Sequence, residues 1–317
     1  MTTLNDPWAD RSFLRDVQYR TDANLAARQS IYSYQEPHID LQGRVIDLAA
    51  PSAGETVCDV GCGNGTYLAE LARRGFTGRV LGLDLSPGML AAARERLDAV
   101  GAAGGSGASG AADVSGAADS ALSAGPVRSA DSPSMESDAD LLAAGSPATV
   151  GPITAGLLAA DATRLPLRDG AADLTLALHM LYHVPDPSQA VRELHRVTRP
   201  GGRVVIVLNG SDHLRQLRTV VAEARGDEIW GQQERLRLDG GEVLAGRYFS
   251  SVTRHDFVSE LRIPDPEPVA HYVRSMSGTQ HSADPERLVA AVVSRFPAAP
   301  GAVFRITTHV GCLICTV

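Results

Sequence analysis

Val57-Cys58-Asp59-Val60-Gly61-Cys62-Gly63-Asn64-Gly65, answered nineteen residues later by Asp84, decides the reading of this chain. A short apolar run ends in three glycines at alternate positions, and a helical pattern follows at once. An acidic residue then closes the next apolar run. Together these describe a strand, a tight turn that lets a ligand touch backbone, and a carboxylate placed to grip a ribose. A nucleoside-bearing cofactor is implied. The spacing is Gly61-x-Gly63-x-Gly65, not the GxGxxG of dinucleotide binders, in which Thr66 would have to be glycine. Asp59 stands two residues before the first glycine, where a pyrophosphate would meet a like charge.

Working outward, strand-like runs alternate with helical patterns. Thr56–Val60 reads as a strand, and 64–74 as a helix with Leu68, Leu71 and Ala72 on one face, stopped by Gly75 as a C′ glycine. Arg79–Leu83 is a second strand. Ser86-Pro87 then supplies an N-cap and an N1 proline for a helix over 88–100. Runs at 156–160 and 172–178 follow. Asp186-Pro187-Ser188-Gln189 has the form of a capping box, before a helix with Val191, Leu194 and Val197 inward and a stop at Pro200-Gly201-Gly202. Residues 203–208 form the next buried strand, and 213–224 the next helix. The β-branched run 303–317, with 247–263 as partner, makes an antiparallel C-terminal edge. Alternation of this kind predicts an α/β fold, a Rossmann-like doubly wound sheet that is mostly parallel.

Residues 101–150 are foreign to this pattern. Ala, Gly and Ser make up 32 of the 50, too little apolar surface to offset ordering, so a disordered insertion is expected there. It interrupts a domain over 51–317, preceded by an N-terminal helical lid or cap over 1–50 and carrying an acceptor-side cap over 211–250.

Composition narrows the function. A formal charge of −8, with no Lys/Arg run, argues against a nucleic-acid partner. The first twenty residues lack an apolar signal region. No stretch reaches the ~18 apolar residues of a membrane span, so a cytoplasmic protein without membrane partner is expected. A homodimer is among the assemblies the sequence allows. Cys58, Cys62, Cys312 and Cys315 lie in or beside apolar strand-like runs, where cysteine acts as a small hydrophobe, and residues three apart on a strand face opposite ways. Neither disulfide framework nor metal site is expected from them.

In these motifs the chain resembles the class I S-adenosylmethionine-dependent methyltransferases, nearest in flavour to the type 11 group around ubiquinone/menaquinone C-methylases. The likeness is carried by Asp59-Val60-Gly61-Cys62-Gly63-Asn64-Gly65, Gly82-Leu83-Asp84-Leu85-Ser86-Pro87-Gly88-Met89-Leu90, Asp161-Ala162-Thr163-Arg164-Leu165-Pro166, Tyr182-His183-Val184-Pro185-Asp186 and Arg199-Pro200-Gly201-Gly202. It covers about residues 54–208, and the insertion departs from it. The resemblance implies that Gly61, Gly63, Asn64 and Gly65 let backbone approach the methionine portion of S-adenosylmethionine. It implies that Asp59 helps hold the turn and favours the ligand's positive charge, that Asp84 accepts from the ribose hydroxyls, and that Asp161 takes the adenine amino group with Ala162 beside the ring. Leu85 and Met89 are either the adenine's other face or plain core.

The resemblance implies methyl transfer to O or C of a small-molecule metabolite. A base is needed only where the acceptor must lose a proton. The segment after the fourth strand holds His179, Tyr182 and His183. His183 is the candidate general base or, equally, a positioning histidine; His179 lies near the cofactor or is packed. No Asn-Pro-Pro-Tyr motif points to amino methylation. Tyr19, Arg20 and Arg28 belong either to a lid or to a solvated helix face. A protein that binds S-adenosylmethionine without methylating is the alternative, with an NAD-dependent oxidoreductase far behind.

Overall fold

The computed structural model describes residues 10–105, 148–150, 153–226, 236–280, 282, 284–296 and 301–317. The chain begins with a helical turn, α1 (Arg11–Phe13), continued as a π-helix over Leu14–Gln18, then α2 (Ala23–Ser30), the two-residue strand β1 (Gln35–Glu36) and α3 (Leu41–Ala49). Next come β2 (Thr56–Val60), α4 (Thr66–Arg73), β3 (Arg79–Asp84), α5 (Pro87–Gly105), β4 (Ala148–Val150), β5 (Ile153–Ala159), β6 (Ala172–Leu178), α6 (Pro187–Val197) and β7 (Thr198–Asn209). The last third adds α7 (Arg215–Arg225), α8 (Leu238–Ala245), β8 (Ser251–Ile263), α9 (Glu267–Arg274), α10 (Ser277–Gln280), α11 (Pro285–Val293) and β9 (Phe304–Thr316).

The nine strands among the described residues join one sheet in the order β1-β8-β9-β7-β6-β2-β3-β5-β4. The central run β5-β3-β2-β6-β7 is parallel throughout. Its order is the 3-2-1-4-5 of a doubly wound sheet. Beyond β7 the sheet turns antiparallel, with β9 between β7 and β8 and β1 on the outside of β8. The C-terminal strand and its expected partner thus form the antiparallel margin together.

Burial on both faces explains the continuous apolar strands. Val57 packs with Val45, Leu68 and Leu71 on one side of the sheet, while its neighbour Cys58 packs with Val191, Leu194 and Val197 on the other. Cys312 and Cys315 divide between the same two layers, and all four thiols are buried and unlinked. Burial pushes the Cys312 and Cys315 thiols up to about 12. A third cluster joins α7, α9 and α11 to β8 through Leu217, Val221, Val269, Val273 and Val289. Among the described residues no helix is long and apolar enough to cross a membrane.

Local chemistry moved several boundaries. The helix expected from residue 64 starts at Thr66, because Gly65 takes a left-handed φ of +72°. Helix α5 continues past residue 100 to Gly105, and Ala148–Val150 pairs as a strand with β5. Both ends of the expected insertion are therefore ordered elements; residues 106–147 lie outside the described residues. The Asp186 carboxylate caps the Gln189 N–H at 2.9 Å as expected, but Gln189 does not return the bond. Its side chain donates instead to the Thr163 carbonyl, so the box is half made. Helix α6 ends at Val197, ahead of Pro200, and the glycine turn (Gly201, φ +71°) falls inside β7.

Candidate functional site

The sheet's winding reverses between β2 and β6, and the crevice outside their carboxyl ends is where such sheets take ligands. A cavity of about 240 Å³ lies there. The turn after β2 is folded onto β3: Gly61 N–H and Cys62 N–H both donate to the Leu83 carbonyl, at 2.7 and 2.9 Å.

The three glycines have different reasons to be glycine. All have positive φ, +72°, +54° and +72°. A Cβ on Gly61 would sit 2.7 Å from the Met180 side chain, and one on Gly65 would sit 2.9 Å from Ala93 Cβ of α5. At Gly63 nothing lies closer than 3.5 Å, so a Cβ there would point into the cavity. Gly61 and Gly63 line the cavity and Gly65 does not. Gly65 was expected to admit a ligand; its place is the contact between α4 and α5.

Asp84 ends β3 with its carboxylate in the turn. Its Oδ2 accepts from Gly63 N–H at 2.9 Å and its Oδ1 from Ser86 N–H at 2.8 Å. Each oxygen keeps a lone pair for a ligand hydroxyl. Burial raises its pKa, against the opposing pull of these N–H groups.

Asp59 is deeper, 1% exposed, and among the described residues neither of its oxygens has a hydrogen-bond partner. It does not hold the turn, as the sequence reading supposed. Burial, with the nearby Asp84 charge, pushes it up to about 7. A buried carboxylate without partner is costly unless a cation or donor meets it.

The remaining expected residues gather around the same space. Asn64 accepts from the Thr66 hydroxyl, while its buried Nδ2 has no partner among the described residues. Met89 is buried at the cavity wall and Leu85 half-buried beside it. Ala162 and Asp161 close the far side. The Asp161 carboxylate is engaged: Oδ1 accepts from the Thr163 amide and hydroxyl at 2.8 and 2.7 Å, and Oδ2 pairs with Arg11 at 2.9 Å. His179 takes a positive φ of 59°, and burial lowers its pKa to about 4, so at neutral pH the ring is uncharged.

The N-terminal segment forms one wall through Leu14, Tyr19, Leu25 and Arg28. It is pinned on α5: Ser86 Oγ donates to the Tyr19 carbonyl at 2.6 Å, and a Cβ on Gly88 would stand 1.9 Å from the Arg20 carbonyl. Tyr19 and Arg28 face the cavity; the Arg20 side chain is exposed and does not line it. Tyr19 Oη lies 2.9 Å from His183 Nε2, and Arg28 Nη2 donates to the same hydroxyl at 3.1 Å. His183 also packs edge-on against Tyr182, with ring centroids 4.6 Å apart.

Tyr19, Arg28, Tyr182 and His183 are shared with a second cavity of about 180 Å³ under α7 and α9. Its own lining includes His213, Arg218, Arg237 and Tyr272. None of these four was singled out as a site residue from sequence. For Arg218 a signal existed: it stands four residues after Leu214 and three before Val221, an arginine on the buried face of a helix. The first cavity combines the carboxylates of Asp59, Asp84 and Asp161 with Arg11, Arg15 and Arg28, whereas the charged groups lining the second, among the described residues, are Arg28, Arg218 and Arg237.

A methyltransferase domain matches residues 34–262 of the chain. The malonyl-[acyl-carrier protein] O-methyltransferase of Serratia marcescens is 25% identical over 75% of this chain and 69% of its own. The ubiquinone biosynthesis O-methyltransferase of Pseudomonas paraeruginosa is 29% identical over 51% and 47%. The chain spans about half the length of the curated relatives it matches. Among solved structures the YcgJ protein of Bacillus subtilis superposes with a TM-score of 0.52 at 14% identity, over 87% of this chain and 97% of that one, and shares the fold.

Proposed function

The chain belongs to the methyltransferase-domain family, and on that premise we propose that it transfers a methyl group from S-adenosylmethionine to an oxygen or carbon atom of a small-molecule metabolite. When bound, the cofactor supplies a methyl carbon on a positively charged sulfur, open to in-line displacement. The names of the relatives, a malonyl-[acyl-carrier protein] O-methyltransferase and a ubiquinone biosynthesis O-methyltransferase, support a small acceptor.

One observation carries the donor assignment: the buried Asp59 carboxylate has no partner among the described residues and faces the cavity beside Gly63. A cationic amino-acid portion meets that requirement, whereas a pyrophosphate would add charge of the same sign. Asp59 would hold the ammonium, and Gly61 and Gly63 would let the chain's backbone lie against the methionine portion. Asp84 would accept from the ribose hydroxyls with its remaining lone pairs. Asp161 would take the adenine amino group through Oδ2, whose present partner Arg11 is half-exposed and leaves at little cost. Met89, Leu85 and Ala162 would cover the ring.

The acceptor side is the second cavity, which meets the first at Tyr19 and His183. Arg28 donates to the Tyr19 hydroxyl, which keeps a proton and a lone pair, so the contact with His183 Nε2 takes its direction from the histidine tautomer. In the tautomer whose Nε2–H is given to the Tyr19 oxygen, the His183 Nδ1 lone pair would receive the proton of a phenol or enol, with Tyr19 orienting the ring and Arg28 holding the hydroxyl. Residues 10–36 would act as the lid, and α7 with Leu236 and Arg237 as the acceptor-side cap.

Incubation of the protein with methyl-labelled S-adenosylmethionine and a metabolite extract tests the proposal. A labelled small molecule should appear, and its mass identifies the acceptor. Binding of S-adenosylmethionine with no labelled product from any extract would contradict methyl transfer.

A further inference from the structure

The second cavity carries an unbalanced charge. Arg28 enters it from α2, Arg218 from α7 and Arg237 from the residue before α8, and among the described residues no Asp or Glu lines it. Among the described residues each guanidinium is anchored on neutral oxygen only. Arg218 Nη2 donates to the Ser211 carbonyl at 2.5 Å, Arg237 Nη1 to the Gly210 carbonyl at 3.5 Å, and Arg28 Nη1 to the Ser275 carbonyl at 3.3 Å. Arg218 Nε is buried and has no partner among the described residues.

Among the described residues, the carboxylate that acts on Arg218 is committed elsewhere. Asp212 pulls on Arg218 through space, but its oxygen lies 2.6 Å from His309 Nδ1. Burial, then the like charge of Arg237, lowers Arg218 to about 10, which still leaves it charged at neutral pH. Burial lowers Arg237 as well. Two half-buried guanidinium groups repelling each other are costly in isolation and are relieved by an anion between them. Their planar forks match the two oxygens of a carboxylate or phosphate. Tyr182 and Tyr272, beside them, offer aromatic wall to the body of the same molecule.

We infer that the methyl acceptor is an anion whose carboxylate or phosphate group is gripped by Arg218 and Arg237, with the reacting atom directed toward Tyr19 and His183. The inference rests on the reading of the second cavity as the acceptor site. It assigns the substrate class and the two residues that select it.

The test uses the full chain and three probes: benzoate, its neutral counterpart benzamide, and inorganic phosphate, with S-adenosylhomocysteine titrated separately. Benzoate should bind at least about tenfold more tightly than benzamide, as charge-assisted hydrogen bonds require. In Arg218→Met/Arg237→Met the preference should fall to within about twofold, with S-adenosylhomocysteine affinity unchanged. Arg237→Met alone should lose part of the preference, which keeps the test open if the double variant does not fold. Tighter binding of phosphate than of benzoate would assign the anion as a phosphate. Benzoate binding no tighter than benzamide, with phosphate equally weak, would overturn the inference, as would a preference that survives in the variants. Absence of S-adenosylhomocysteine binding alongside an intact benzoate preference would count against the donor assignment and leave the anion site standing.

Discussion

The Tyr19 hydroxyl lies 2.9 Å from His183 Nε2, across 164 residues of sequence, and both residues line both cavities. The N-terminal segment is thus part of the wall between donor and acceptor. Its position depends on α5, where Ser86 holds the Tyr19 carbonyl and Gly88 admits the Arg20 carbonyl.

Removing that hydroxyl should separate orientation from binding. Tyr19→Phe is expected to lower kcat about tenfold for a hydroxyl acceptor, and His183→Gln by about a hundredfold, the range of general-base effects. In both variants the dissociation constant of S-adenosylmethionine should stay within about twofold. The kcat–pH profile reads the difference: its acidic limb should persist in Tyr19→Phe and disappear in His183→Gln. An unchanged profile in both would remove His183 from proton transfer.

Two glycines two residues apart should fail in different ways. Gly65→Ala drives a Cβ to 2.9 Å from Ala93 at a φ of +72°, so it should lower the melting temperature with little direct effect on ligand affinity. Gly63→Ala meets nothing within 3.5 Å in the protein. It should cost about 1–2 kcal/mol of stability for the left-handed backbone, while S-adenosylmethionine affinity falls at least tenfold as the methyl enters the cavity, by a rough steric estimate. Paired melting and titration curves for the two variants distinguish them, and equal affinity losses would contradict the division of roles.

Much of this was legible beforehand because strands and caps announce themselves locally. The strands at Thr56–Val60 and 172–178 lie where alternation and apolar runs placed them, since both faces of the sheet are covered. Asp59, Asp84, Asp161 and His183 converge on one cavity because a doubly wound sheet brings its strand ends together. What could not be read was which partner each group would meet. Gly65 looked like its two neighbours until Ala93, on another helix, set its role. Arg11 pairing with Asp161 and Arg218 sharing a cavity with Tyr19 depend on the packing of segments far apart in sequence, and no local pattern encodes that.

Asp59 should make the protein's stability fall with pH. Its folded pKa is about 7, against 3.8 when exposed, so the native state keeps a proton that the unfolded chain releases. Stability is therefore lost as pH rises from about 4 to 7, by a few kcal/mol in the ligand-free protein. Asp59→Asn should flatten that slope and raise the melting temperature at pH 8. In the unaltered protein S-adenosylmethionine affinity should rise between pH 6 and 8 as Asp59 ionises. An identical pH slope in Asp59→Asn would show that the carboxylate is paired.

The donor site itself is tested most directly by calorimetric titration of S-adenosylmethionine into the unaltered protein and into Asp84→Ala. Two hydrogen bonds to a carboxylate are lost in the variant, each about 1.5–3 kcal/mol, so affinity should drop by about a hundredfold or more. Saturable binding to the unaltered protein and near-loss in the variant is the result expected. No binding to the unaltered protein, or the same affinity in Asp84→Ala, would contradict the assignment of this cavity to S-adenosylmethionine.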